Sequence, residues 1–173
     1  MTQQPDSTIL SRVLQIWGTR LKRVDPQLLP AVPALPRTRA LLTNVGVPVD
    51  APLDVTFYSG PTLLQELAAN GTRYWQIGDD YGTKLVLDER EQVWSLGDGE
   101  LPLRFVGSSL AAVVLFLGLY ASQMPALKKA SDEVASGLID ELRKEFRAAD
   151  SAALANAENW WSVVLEQVAL GLG

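Results

Sequence analysis

A chain of 173 residues, 47% hydrophobic and 20% charged, is long enough to bury a core and has the composition of a globular protein. It contains no His and no Cys, which excludes imidazole acid–base chemistry, thiol nucleophiles, disulfides and the usual zinc sites. The net charge of −5 is uneven, with +4 on residues 1–40, −7 on residues 41–101 and −2 on the rest; an acidic middle opposes nucleic-acid binding and favours a basic partner.

Met1 to Ser7 has no basic stretch and no apolar run, so no signal peptide is expected, and the lack of Cys suits the cytoplasm. Leu10, Val13, Leu14, Trp17 and Leu21 recur at helical spacing and predict a first helix capped by Asp6 or Ser7. Pro26, Pro30, Pro33 and Pro36 then keep the chain extended, with Leu28, Leu29, Val32 and Leu35 packing it across the domain. A short helix is predicted over 37–45, with Gly46-Val47-Pro48 as its exit. Residues 54–58 alternate as a strand, and 61–69 suit another short helix ended by Asn70-Gly71.

The centre reads as strand. Residues 73–77, 84–88 and 92–96 are rich in aliphatic and aromatic side chains, and residues 103–106 add a fourth segment. Connections this short join antiparallel neighbours, so the four segments form a meander. Its turns fall at 78–82 and 89–91, and Trp75 and Trp94 are assigned to neighbouring strands. Gly107-Ser108-Ser109 caps an apolar helix reaching Ser122. From Phe105 to Leu127 no residue is charged, but only Leu110 to Ala121 is continuously apolar, about 18 Å of helix and short of a bilayer core. Val134, Leu138, Ile139, Leu142 and Phe146 mark a helix behind Ser131. Leu154, Trp160, Trp161, Val164, Leu165 and Val168 mark the last helix, with at least one of its tryptophans in the core. No repeat or long linker divides the chain, so a single domain over 1–173 is expected, with a helical extension from about 128.

Asp79-Asp80 is the pair most like catalytic or metal-binding carboxylates. At a hairpin tip, however, adjacent acids serve turn geometry and solubility, and a Mg²⁺ or Ca²⁺ site needs several convergent oxygens. No Gly-rich phosphate loop or nucleophile elbow accompanies the pair. No catalytic residue, metal or cofactor is therefore assigned. Alternate turns of a meander lie at opposite ends, so Asp79 and Asp80 should join Asp98 and Glu100, away from Asp88, Glu89 and Glu91. That group, bordered by Trp75 and Tyr81, is the expected partner-binding patch.

Tyr74-Trp75-Gln76-Ile77-Gly78-Asp79, Leu85-Val86-Leu87-Asp88, Val93-Trp94-Ser95-Leu96 and Phe105-Val106-Gly107-Ser108-Ser109-Leu110 together resemble the SUKH superfamily. The likeness is to its immunity-protein subfamily from actinobacterial polymorphic toxin systems. Gly46-Val47-Pro48 and the Trp160-Trp161 helix match further family elements. One departure is visible: the family often has Gly in the turn before the third matching strand, where this chain has Glu91-Gln92. The resemblance implies an α+β fold with a mostly antiparallel central sheet flanked by helices. It also implies a protein that is not an enzyme and that binds and neutralises a cognate toxin. Blocking of the toxin's active site is expected, the acidic surface favours a basic nuclease-like or deaminase-like toxin, and no nucleic acid or membrane partner is expected. The alternative is a general interaction or regulatory module of the same fold.

Overall fold

The computed structural model describes residues 6–32, 34–97 and 103–171. In chain order it contains α1 (Asp6–Trp17), β1 (Leu21–Lys22), α2 (Pro36–Asn44), β2 (Val47–Pro48), β3 (Val55–Phe57), β4 (Glu66–Ala69), β5 (Thr72–Asp80), β6 (Thr83–Leu87), β7 (Val93–Leu96), β8 (Arg104–Gly107), α3 (Leu110–Leu127), α4 (Asp132–Ala149) and α5 (Trp160–Ala169). Strands β5, β6, β7 and β8 form the expected antiparallel meander, in an α+β fold. Both β3 and β4 pair with β5 on its other side, one after the other, which completes a six-stranded sheet. β1 and β2 form a separate two-stranded ribbon.

Residues 61–69 are not the helix that their composition suggests. Only Gly60–Thr62 makes a helical turn, of the 3-10 type; Leu64 then takes φ 59° and Glu66–Ala69 pairs with β5 as β4. Asn70 and Gly71, at φ 51° and 75°, form the two-residue turn that matches strand twist, so Asn-Gly joins a hairpin rather than stopping a helix. Strand β5 also outruns its predicted end. A bulge between Gln76 and Gly78 lets it continue through Asp80, and the turn shrinks to Tyr81-Gly82, at φ 45° and 107°. β3 crosses the bulge so closely that a Cβ on Gly78 would lie 2.2 Å from the Thr56 carbonyl oxygen. Trp75 and Trp94 are not on neighbouring strands, because β6 separates β5 from β7.

The third turn explains the Glu91 departure. Asp88 Oδ1 accepts from the backbone N–H groups of Arg90 and Gln92, and Glu91 takes φ 62°, the conformation that favours Gly. The Glu91 side chain is buried and reaches across to the start of α2. There Oε1 accepts from the Thr38 N–H at 2.7 Å and Oε2 from Arg37 Nε at 2.8 Å. Leu35, the residue before α2, offers no side-chain cap, so Glu91 caps the helix from another element.

Helix α3 is the centre of the core. Ser109 caps it by accepting from the Ala112 N–H, and it runs past the predicted Ser122 to Leu127, with Pro125 inside its last turn. By length and composition this 18-residue helix could cross a membrane, yet 56% of it is buried within the fold. α1 packs on it through Ile9, Val13 and Trp17, whose Nε1 donates to the Val114 carbonyl at 2.9 Å, while Leu14 points to solvent. α4 packs on it through Ile139, Leu142 and Phe146, leaving Val134 exposed. Phe116 stacks on Phe146 with ring centroids 4.1 Å apart, and Trp161 meets both edge-on. Both Trp160 and Trp161 are buried; Leu154 belongs to a separate 3-10 turn, Ser151–Leu154. Leu29 and Leu35 anchor the proline-rich segment in the core, whereas Leu28 is 70% exposed.

Candidate functional site

The bulge at Gln76–Gly78 fixes which way the end of β5 points its acids. Successive strand residues face opposite sides of a sheet, so Asp79 and Asp80 part company. Asp80 lies on the helix-covered side. Its carboxylate accepts from Trp160 Nε1 at 2.5 Å and from the Thr83 hydroxyl, which itself lies 2.9 Å from Ser95 Oγ. Burial pushes the Asp80 carboxyl above its ordinary range; the Trp160 hydrogen bond pulls the other way, Asp79 adds to the rise and Arg104 opposes it. Asp80 therefore fastens α5 to the sheet.

Asp150 plays a matching part for α4. It follows the last residue of that helix and accepts from the Ser108 N–H at 2.6 Å and the Ser108 hydroxyl at 2.8 Å. Two carboxylates thus tie the C-terminal helices to the meander.

Trp75 is 4% exposed, lines a depression together with Leu64 and the proline-rich segment, and carries the Arg73 guanidinium 5.8 Å from its ring centroid. Asp98 and Glu100 lie outside the described residues. Of the expected patch, Asp79 and Asp80 are both half-buried and Tyr81 stands at the surface. Tyr81 is 90% exposed at the tip of the β5–β6 turn. Asp79 stands opposite Thr56 of β3 and Lys84 of β6. Beside it the Tyr58 hydroxyl is raised above its ordinary pKa, by burial first and then by the Asp79 carboxylate.

The neighbours of Asp79 and Tyr81 include two acids, Asp50 and Asp54, that are far from them in sequence. Asp50 and Asp54, in the connection from β2 to β3, join them around a shallow depression of about 460 Å³ that Val49 and Thr56 complete. Only the β3–β5 register, Val55 opposite Asp80 and Thr56 opposite Asp79, reveals this. Among the described residues no group of three or more carboxylates is placed to hold a metal ion. The three acids surround the depression without converging on a point, so the arrangement presents a negative field around an exposed aromatic.

The fold and this surface can now be set beside known proteins. The model of the SUKH-4 immunity protein family matches residues 11–167. The chain belongs to that family. The match runs from within α1 to within α5, so the helices fastened by Asp80 and Asp150 are part of the SUKH-4 pattern. Curated proteins and solved structures give no match. Immunity protein families are in general not enzymes, and the half-buried Asp80 and Asp150 carboxylates hold elements of this fold together.

Proposed function

We propose that this SUKH-4 protein binds one cognate toxin domain of a polymorphic toxin system, in the cytoplasm of the cell that makes both, and covers the toxin's active site. The observation that carries this reading is the family match over residues 11–167. The charge pattern supports a basic, nuclease-like or deaminase-like toxin, because residues 41–101 supply most of the acids and Asp50, Asp54 and Asp79 gather around Tyr81. Complementary charge raises the rate of encounter and disfavours wrong partners. Neither nucleic acid nor a membrane enters the reading; α3 is occupied by the core.

Co-expression with the toxin encoded beside this gene tests the proposal. Growth should be rescued by the wild-type chain, and killing that proceeds equally with and without it would end the immunity reading. The acidic surface is tested separately. Changing Asp50, Asp54 and Asp79 together to Asn should slow association about tenfold at low salt and flatten its salt dependence. An association rate that does not change would reject this surface and leave the immunity assignment in place.

A further inference from the structure

Strand β3 has a free edge. In an antiparallel pair, residues alternate between facing the partner strand and facing away. Tyr58 donates its N–H to the Ile77 carbonyl at 2.9 Å, so Thr56 faces β5 as well, and Phe57 turns its N–H and C=O outward. The Val55 N–H, also outward, is taken by the Pro52 carbonyl at 3.3 Å. The Phe57 N–H and C=O thus point away from β5, toward the open side of the strand.

This edge opens on a groove of about 300 Å³ between β2 and β3, lined by Val24, Leu28, Val47, Val49, Phe57 and Leu63. Leu28 is 70% and Val49 65% exposed, and Tyr81, on the other flank of β3, is 90% exposed. Three of the few large apolar side chains exposed on this protein therefore gather around one three-residue strand. Proteins ordinarily blunt a free edge with charge, proline or a bulge, and β3 itself has none of these. The flanking charges differ in balance: Lys22 and Arg23 outnumber Asp25 along the groove, and Asp50, Asp54 and Asp79 line the depression on the other side of Val49.

We infer that the β3 edge receives an extended segment of the toxin domain as an added strand. This rests on the immunity reading and specifies how the toxin is held. Main-chain hydrogen bonds form to the Phe57 N–H and C=O, and alternate apolar side chains of the segment enter the groove over Leu28 and Val49. An acidic residue of the segment meets Lys22 and Arg23, and a basic one meets Asp50, Asp54 and Asp79. The opposed charges fix the direction in which the strand lies.

The test uses the full chain and the toxin domain encoded beside its gene, purified as a complex. Hydrogen exchange at the Phe57 amide should slow at least about tenfold on toxin binding. The double variant Leu28→Asp with Val49→Asp, both at exposed positions, should keep the wild-type unfolding midpoint and lose roughly 30-fold in affinity. Wild-type affinity in that variant, with no protection of the Phe57 amide, overturns the edge inference while the immunity reading stands. Protection of that amide in the free protein, rising with concentration alongside a dimer in sedimentation, makes the occupant a second copy and also overturns it. A wild-type chain that binds no toxin removes both.

Discussion

Glu91 sets two local energies against each other, and substitutions can separate them. Its φ of 62° costs an L-residue roughly 1–2 kcal/mol, which Gly would not incur. Against that stands the cap on α2, two hydrogen bonds at 2.7 and 2.8 Å to a carboxylate with 6% side-chain exposure. Hydrogen bonds to a charged group contribute about 1.5–3 kcal/mol, and losing the acceptor leaves the Thr38 N–H, on a residue 2% exposed, without a partner. The Arg37 side chain is 50% exposed, so the ion pair itself adds at most about 0.5 kcal/mol. Glu91→Ala loses the cap and keeps the strain, for about 3 kcal/mol of destabilisation. Glu91→Gly loses the cap but relieves the strain, for about 1–2 kcal/mol. Glu91→Gln keeps an acceptor for Thr38 and should cost about 1 kcal/mol. Urea unfolding at constant slope measures all three, and the expected order of stability is Gln above Gly above Ala. If Glu91→Gly matches or exceeds the wild type, the cap does not outweigh the backbone and the reasoning fails.

The Gly78 and Gly137 positions make an opposed pair. Gly78→Ala would place Cβ 2.2 Å from a backbone oxygen of β3 and should destabilise by about 3 kcal/mol. Gly137→Ala, inside α4 with nothing within 4 Å, should stabilise by roughly 0.5–1 kcal/mol; equal midpoints for the two in urea would refute the close approach. The raised pKa of Asp80 gives a pH signature. Its protonated form is favoured in the folded state, so its contribution is fully present below the ordinary value of 3.8 and is lost as pH rises through the raised one. Asp80→Asn should therefore remove this fall in stability across that interval and leave the protein at neutral pH as stable as the wild type or more so. Unfolding midpoints measured against pH check it, and a wild-type slope in the variant would contradict the assignment.

Much of the fold was readable because its pattern is local. The meander follows from strand-length apolar segments with short connections, and α3 from a cap followed by an uncharged run. The misread 61–69 segment shows the limit: Leu-Leu and Ala-Ala pairs favour helix, and only pairing with β5, together with φ 59° at Leu64, makes it a strand. The divergence of Asp79 from Asp80 escaped the sequence for a related reason. One inserted residue at the Gln76–Gly78 bulge decides which of Asp79 and Asp80 turns toward Trp160, and nothing in the local composition announces a bulge. Asp50 and Asp54 reach Asp79 only through the β3–β5 pairing, a contact between segments more than 20 residues apart in sequence. The Glu91 departure from Gly was visible in the sequence, whereas its partner, the start of α2, lies 53 residues earlier.

The position of α3 in the chain bears on how the protein is made. During synthesis its apolar length leaves the ribosome before α4 and α5, so the surface that Phe146 and Trp161 will cover is open at first. Its partner α1 is already available, and that half-covered pair must wait until Asp150 and then Trp160 have been made before α4 and α5 can close over it. A chain halted near residue 128 would leave that apolar side bare, open to aggregation, to chaperones or to a nearby bilayer. The late-made helices thus act as a checkpoint on completeness: a shortened copy cannot hide its centre.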